Sequence, residues 1–283
     1  MVRRVLKKIF RVYRVAISGF VQLQLRGIKR LPRGRFLLTD IGHELSRDKT
    51  KVMVDGRQLV LSTPNWLTHR RAKQLLTDEP ETIAWIDSFK NGSVFWDIGA
   101  NIGIYSIYAA ATKDCEVVAF EPAFLNLTVL QENIELNDLS KKVTIFPIGL
   151  SNTGGIKSLY LSRENLISGG AHNSLGKPIN QYGGEMTGTM EIKVPAVTLD
   201  GYYVSYSKRF PNYIKIDVDG LELDVLKGAS QVLNEVNELS IELLGSNQSD
   251  NRIHKILTDA GLSRITDEKS NLRNVIYVRK SKN

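Results

Sequence analysis

Two carboxylates and two glycines carry the most specific chemistry in this sequence. Asp97-Ile98-Gly99-Ala100-Asn101-Ile102-Gly103 ends a short apolar run, and Glu121-Pro122 ends the next, eighteen residues after Gly103. Small residues let a backbone approach a ligand closely, and a carboxylate at the end of the adjoining strand accepts both hydroxyls of a ribose. A dinucleotide site uses Gly-x-Gly-x-x-Gly, whose helix amides meet a pyrophosphate. Here three residues separate the glycines, Asp97 adds negative charge, and no P-loop Gly-Lys-Ser/Thr stands at this position. The pattern selects a ligand with adenosine and no phosphate. S-adenosyl-L-methionine meets that description, with Asp97 favouring its sulfonium or amino end through charge and hydrogen bonding. The expected cofactor-binding residues are Asp97, Gly99, Ala100, Asn101, Gly103, Glu121 and Pro122.

A second cluster lies in Lys215-Ile216-Asp217-Val218-Asp219-Gly220. Side chains alternate along a strand, so Lys215, Asp217 and Asp219 share one side. A lysine in a buried central strand needs a partner, and Asp217, Asp200 and Glu242 are the candidates. Asp97, Asp217 and Glu242 end adjacent strands, where clustered carboxylates raise one another's pKa and leave one poised as a base. The other reading is a structural ion-pair network that fixes the strand. Asp217 is the first candidate for the catalytic base. His172, in a loop rich in Gly and Asn, is the second, its other reading being a solvated loop residue.

These groups need a scaffold that brings strand ends together, and the pattern from Ser93 onward supplies one. Strands are expected at 93–98, 116–120, 143–148, 213–218 and 239–243, alternating with helices at 104–111, 123–137, 221–233 and 251–260. Pro147 makes the strand at 143–148 an edge strand. Residues 151–196 read as a hairpin plus a mobile loop, and 262–266 with 274–279 as an antiparallel hairpin. Alternating βα units ending in a hairpin describe an α/β fold with a doubly wound, mostly parallel sheet. Ligands sit beyond the carboxyl ends of its strands at the switch point. Upstream, 50–62 reads as two strands around Asp55-Gly56, and 64–90 as helical with Ile83, Ile86 and Phe89 facing inward. The expected divisions are 1–35, a basic helical extension; 36–92, an accessory segment; and 93–283, the cofactor-binding domain.

The stretch from Val94 to Leu244 resembles the FkbM-type methyltransferases. The matching motifs are Asp97-Ile-Gly-Ala-Asn-Ile-Gly-Ile-Tyr-Ser106, Ala119-Phe-Glu-Pro122, Asn133 with Asn137, Gly149-Leu-Ser151, Val197-Thr-Leu-Asp200, Lys215 to Gly220, and Leu226-Lys-Gly-Ala229. The resemblance implies a Rossmann-like class I fold, S-adenosylmethionine as donor, and O-methylation of a hydroxyl on a sugar, glycolipid or natural product. It also adds Ser151 to the cofactor-binding set. Where the family usually has Glu, Asp219 stands here, with a shorter reach.

Charge is unevenly placed. Of 38 Lys and Arg residues, eleven precede Asp40 with no acidic residue among them, leaving 27 against 30 acidic residues. A near-neutral body argues against nucleic acid as partner. On a helical wheel, Arg3, Arg4, Lys7, Lys8, Arg11 and Arg14 face away from Val5, Leu6, Ile9, Phe10 and Tyr13. Through residues 1–30 such a helix suits an anionic membrane surface, or packs on its own domain. It is too polar for a transmembrane span and a poor signal peptide. Cys115 is the only cysteine, which favours a reducing compartment and excludes cysteine-based zinc clusters. No metal site is expected from the histidine spacing, although a carboxylate-held Mg²⁺ stays open. The expectation is therefore a cytoplasmic O-methyltransferase, peripheral on the inner face of the membrane, acting on a small-molecule or lipid-linked saccharide. The alternatives are an RNA or protein methyltransferase and a non-catalytic membrane-associated module.

Overall fold

The computed structural model describes residues 18–163, 166–207, 209–243, 247–265 and 273–280. Residues 1–17 of the basic helix expected over 1–35 lie outside them. The chain forms two compact units, Met1–Asp48 and Lys49–Asn283. In the first, helix α1 (residues 18–30) is followed by α2 (Gly34–Ser46). A Cβ on Gly34 would overlap the Ile28 carbonyl oxygen, so glycine permits the close turn. Apolar side chains here face solvent, with Leu23 65% and Phe36 73% exposed.

The second unit opens with the hairpin β1 (Lys49–Val54) and β2 (Arg57–Ser62). Asp55 and Gly56 at its tip both have positive φ, 45° and 79°, as a two-residue primed turn requires. Two helices follow rather than one, α3 (Trp66–Lys73) and α4 (Pro80–Asp87), because Pro80 tolerates only a helix start. Ile83, Ile86 and Phe89 are buried as the spacing predicts.

Strands β3 (Val94–Ile98), β4 (Glu116–Phe120) and β5 (Val143–Phe146) alternate with α5 (Ile104–Lys113) and α6 (Phe124–Leu136). Pro147 falls just past the end of β5, which is the edge strand that a missing donor demands. The segment at 149–197 is a separate sheet of β6 (Gly149–Leu150), β7 (Gly155–Ser162), β8 (Ser174–Leu175) and β9 (Thr189–Val197), ordered β6-β9-β7-β8. Then come α7 (Leu199–Tyr202), β10 (Tyr213–Ile216), α8 (Glu222–Lys227), α9 (Ser230–Leu233), β11 (Glu238–Glu242), α10 (Asn247–Asp259), β12 (Leu262–Arg264) and β13 (Asn274–Arg279).

The single helix expected at 221–233 is broken in two by Asp200. Its carboxylate accepts the amides of Gln231 at 3.0 Å and Val232 at 2.9 Å and so caps α9. That role corrects its candidacy as a partner of Lys215.

The main sheet has the order β12-β13-β11-β10-β3-β4-β5, parallel from β11 to β5. Its last strand, β13, runs antiparallel to both β11 and β12. The doubly wound expectation therefore holds, with the chain reversing direction of travel between β3 and β10. Alternation places Phe95 in one core layer and Val94, Trp96 and Ile98 in the other. Tyr213 against Ile214 and Ile216 divides in the same way. Asp97 and Lys215 consequently share a face, and the parallel register sets them directly beside each other.

Candidate active site

At the end of β3 the backbone turns on Gly99, with φ 82°. A Cβ there would overlap the Asp217 carbonyl oxygen, so only glycine lets β3 and β10 end so close together. The amides of the following loop all find partners within the protein. Those of Gly99 and Ala100 each donate to the Phe120 carbonyl at 3.0 Å, and that of Gly103 to the Ala100 carbonyl at 2.8 Å. Asn101 N–H donates to Glu121 Oε2 at 2.8 Å, and Ile102 N–H to Asn101 Oδ1 at 2.9 Å. A phosphate cradle needs free amides, and this loop offers none. What it presents instead is the buried carboxylate of Glu121, whose Oε1 also accepts the Ala123 amide at 2.8 Å. The chemistry of these donors and acceptors fits an adenosine ligand without phosphate.

A charged cluster adjoins the loop. Lys215 is 2% exposed; its Nζ donates to Asp217 Oδ2 at 2.7 Å, stands 4.0 Å from Glu79 Oε2, and lies 5.0 Å from the Tyr105 ring centroid. Asp97 Oδ2 accepts the Ser106 hydroxyl at 2.6 Å. Burial alone would lower the Lys215 pKa, but Asp217, Glu79 and Asp97 together hold it above the ordinary lysine value. Burial likewise opposes ionisation of Asp217, yet the Lys215 charge and hydrogen bond hold it below the usual carboxylate range, which corrects the expectation that clustering would raise its pKa. Asp97 is raised, chiefly by burial, against the pull of Lys215 and Ser106.

Three glutamates are raised as Asp97 is, opposite to Asp217. Burial pushes Glu121 and Glu222 up to about 7, and burial with the charge of Asp217 pushes Glu242 up to about 8. A carboxyl group whose pKa rises on folding binds more protons folded than unfolded, so its contribution falls as pH climbs through that window. The windows belonging to Asp217 and Lys215 lie outside it, in acid and strong base. Each pKa unit is worth ~1.4 kcal/mol. The thermal midpoint of ligand-free protein should therefore drop by several degrees between about pH 5 and about pH 8, measured by scanning fluorimetry. A midpoint that climbs across that interval contradicts these environments.

One cavity is lined by Asp97, Gly99, Ala100, Asn101, Glu121, Pro122 and Asp217 together. Gly103 is not in its lining; φ 77° and the Leu130 side chain, which a Cβ would strike, account for the glycine. Ser151 is absent from the lining as well, and its hydroxyl accepts a hydrogen bond from Lys157 Nζ at 2.8 Å. His172 is outside too, although its neighbours Ala171 and Asn173 line the cavity. Its amide donates to Asp219 Oδ2 at 2.7 Å, while its side chain is 56% exposed with Nδ1 3.8 Å from Asp219 Oδ1.

Sequence reasoning missed Arg71, Glu79, Tyr105 and Asn126, which line the same cavity. Glu79 stands at the N-cap of α4, where an acidic residue is ordinary, so no local signal marks it. Asn126 is polar and only 2% exposed, a signal that burial carries and the sequence does not. Its Oδ1 accepts the Gly169 amide at 2.9 Å. Among the described residues, no group of three or more His, Cys, Asp or Glu is arranged to hold a metal ion.

The strand order, the antiparallel final strand and a site at the β3–β10 switch point define a Rossmann-like class I methyltransferase fold. That fold implies S-adenosylmethionine as the methyl donor. The chain belongs to the FkbM methyltransferase family: residues 97–263 match the Methyltransferase FkbM domain. It is 29% identical over 178 residues to methyltransferase sdnD of Sordaria araneosa, covering 56% of this chain and 68% of that one. It is also 29% identical over 181 residues to hexuronic acid methyltransferase AglP of Haloferax volcanii, covering 63% and 66%. The chain thus spans about two thirds of the length of these curated relatives. Among solved structures, a precorrin-6y C5,15-methyltransferase of Geobacter metallireducens superposes with a TM-score of 0.42 and 13% identity, over 74% of this chain and 92% of its own.

Proposed function

We propose that this methyltransferase O-methylates a saccharide hydroxyl, the acceptor being a small molecule or lipid-linked, with the donor held by the Asp97–Gly103 loop and Glu121. The observation that carries the donor site is the loop whose amides are all spent internally beside a buried carboxylate. S-adenosylmethionine supplies an electrophilic methyl group on a sulfonium. Glu121 accepts the ribose hydroxyls, and Asp97 faces the positive end. Ala100, Asn101 and Pro122 shape the walls. Asp217 orients the acceptor hydroxyl and takes its proton as the new O–C bond forms and the C–S bond breaks. His172 is the second candidate for that proton. The hexuronic acid named for one relative supports a sugar acceptor.

The direct test is calorimetric binding of S-adenosylhomocysteine. Glu121→Gln should weaken it by about 10–100-fold, since it removes charge-assisted hydrogen bonds. Unchanged affinity would sink the site assignment. Mass spectrometry of products after incubation with saccharides, RNA and protein then identifies the acceptor class.

The unit Met1–Asp48 supports a place at an anionic membrane surface. Arg26, Lys29, Arg30, Arg33 and Arg35 are exposed alongside Phe20, Leu23, Phe36 and Leu37. Among the described residues no helix is long and apolar enough to cross a membrane. A basic residue near such a surface contributes ~1 kcal/mol. Full-length protein should sediment with phosphatidylserine vesicles and not with phosphatidylcholine vesicles. Replacing the five cations by Glu should release it, and equal sedimentation of both proteins refutes the membrane role.

A further inference from the structure

Of the two cations that line the cavity, one is held in a close ion pair with Asp217 and the other acts on Asp217 only at longer range. Lys215 is paired with Asp217 and flanked by Glu79. Arg71, half-buried on α3, has no carboxylate within ion-pair distance among the described residues. Its Nε donates to the Gly169 carbonyl at 2.8 Å, and no other hydrogen bond is made by its guanidinium among those residues. The four N–H donors on Nη1 and Nη2 are therefore uncommitted. The rest of the charged lining is acidic: Glu79, Asp97, Glu121, Asp217 and Asp219.

The bond through Nε does more than satisfy one donor. Gly169 belongs to a short strap tied down from several sides. Asn65 Nδ2 donates to the Ser168 carbonyl at 3.1 Å, Asn101 Nδ2 to the Gly170 carbonyl at 2.9 Å, and Asn126 receives the Gly169 amide at 2.9 Å. A Cβ on Gly169 would crowd the Thr68 methyl at 3.1 Å, so glycine lets α3 come close. Gripped through Nε by this strap, the planar guanidinium is held in one orientation before any ligand arrives. A fixed fork with both outer nitrogens free matches a carboxylate, which it holds through two parallel hydrogen bonds. Partial burial strengthens the case, because a charge drawn out of water needs a partner.

We propose that Arg71 is the carboxylate-binding residue of the cavity, gripping a ligand's carboxylate through its two outer nitrogens. The proposal rests on the methyl-transfer reading and adds to it a charged ligand group. Two sources carry the same chemistry: the amino-acid end of the donor, and a uronate-type acceptor.

The test uses full-length protein with Arg71→Gln, which keeps an amide donor for Gly169 and loses the charge, and Arg71→Lys, which keeps the charge and loses the fork. Calorimetry compares S-adenosylhomocysteine with 5′-methylthioadenosine, which has the adenosine and thioether but no carboxylate. It then compares glucuronate with glucose on protein saturated with S-adenosylhomocysteine. If the donor is the source, Arg71→Gln weakens S-adenosylhomocysteine by about tenfold or more, with Arg71→Lys intermediate, and leaves 5′-methylthioadenosine unchanged. A merely structural role would weaken both and overturns the proposal. If the acceptor is the source, both adenosine ligands bind as before, and the preference of wild-type protein for glucuronate over glucose is lost. When neither carboxylate's binding depends on Arg71, the proposal is overturned while the donor site stands. Wild-type protein that binds neither adenosine ligand overturns the methyl-transfer reading, and this proposal with it.

Discussion

Asp217→Asn is expected to lower kcat by about 10²–10⁴, the usual worth of a positioned acid or base, while S-adenosylhomocysteine affinity changes little. Asp217 lies at the carboxyl end of β10, and its amide donates to the Ile98 carbonyl at 3.0 Å, so the strand pair fixes its position beside the Asp97–Gly103 loop. At neutral pH it is ionised, held so by Lys215, and burial with the charge of Asp217 pushes the neighbouring Glu242 up to about 8. The carboxylate thus has one oxygen, Oδ2, occupied by the lysine. The residue lines the cavity, where on the proposed reaction a neutral hydroxyl is aligned and relieved of its proton as attack proceeds. Asparagine keeps the shape and loses the acceptance of a proton. Product formation under saturating donor measures the effect. A variant with wild-type kcat would move the role to His172.

The second large effect is on stability. Lys215→Met should destabilise the protein by about 3–5 kcal/mol at pH 7, because it leaves the buried Asp97 and the half-buried Asp217 and Glu79 without their counter-charge. The lysine is fully buried and serves Asp217, Glu79 and Asp97 at once. Without it, those carboxylates take up protons more readily in the folded state than in the unfolded chain. The deficit should then shrink as pH is lowered from about 7 towards 5, since protonation removes the repulsion. Urea unfolding at the two pH values measures it. A deficit that grows in acid, or one below about 1 kcal/mol at pH 7, contradicts the counter-charge role.

Residues that act close to their own strand were legible in the sequence. Asp97 and Glu121 stand at the ends of two apolar runs, and two-residue alternation with a parallel sheet brings them to one edge. The need of Lys215 for a partner could be read from burial alone, and Asp217 is two residues away. Glu79 was not legible. It reaches Lys215 from an N-cap in the accessory segment, and no periodicity encodes the register between them. Asp200 shows the converse difficulty: an acidic residue in a matching motif caps a helix some thirty residues later, which only the packed chain reveals. Ser151 and Gly103 are motif residues whose surroundings are protein rather than cavity. Asn133 and Asn137 likewise carry a signal whose meaning is architectural.

Those two asparagines, Asn133 on α6 and Asn137 at its C-cap one turn later, hold the hairpin as a neighbouring strand would. Asn137 accepts from the Val60 amide at 2.9 Å and donates to its carbonyl at 2.7 Å. Asn133 accepts from the Ser62 amide at 2.7 Å and donates to the Ile102 carbonyl at 2.7 Å. The backbone groups they take up are those through which another chain could add a strand, so this stretch is closed to edge-to-edge aggregation. It also has a fixed length, because one inserted residue in β2 would put every side chain on the wrong face and part both amide pairs. The exposed Asp55-Gly56 tip carries no such tie. Lengthening of the accessory segment during divergence, or by a tag grafted in the laboratory, is accommodated at that tip and not along the strand that leads from it.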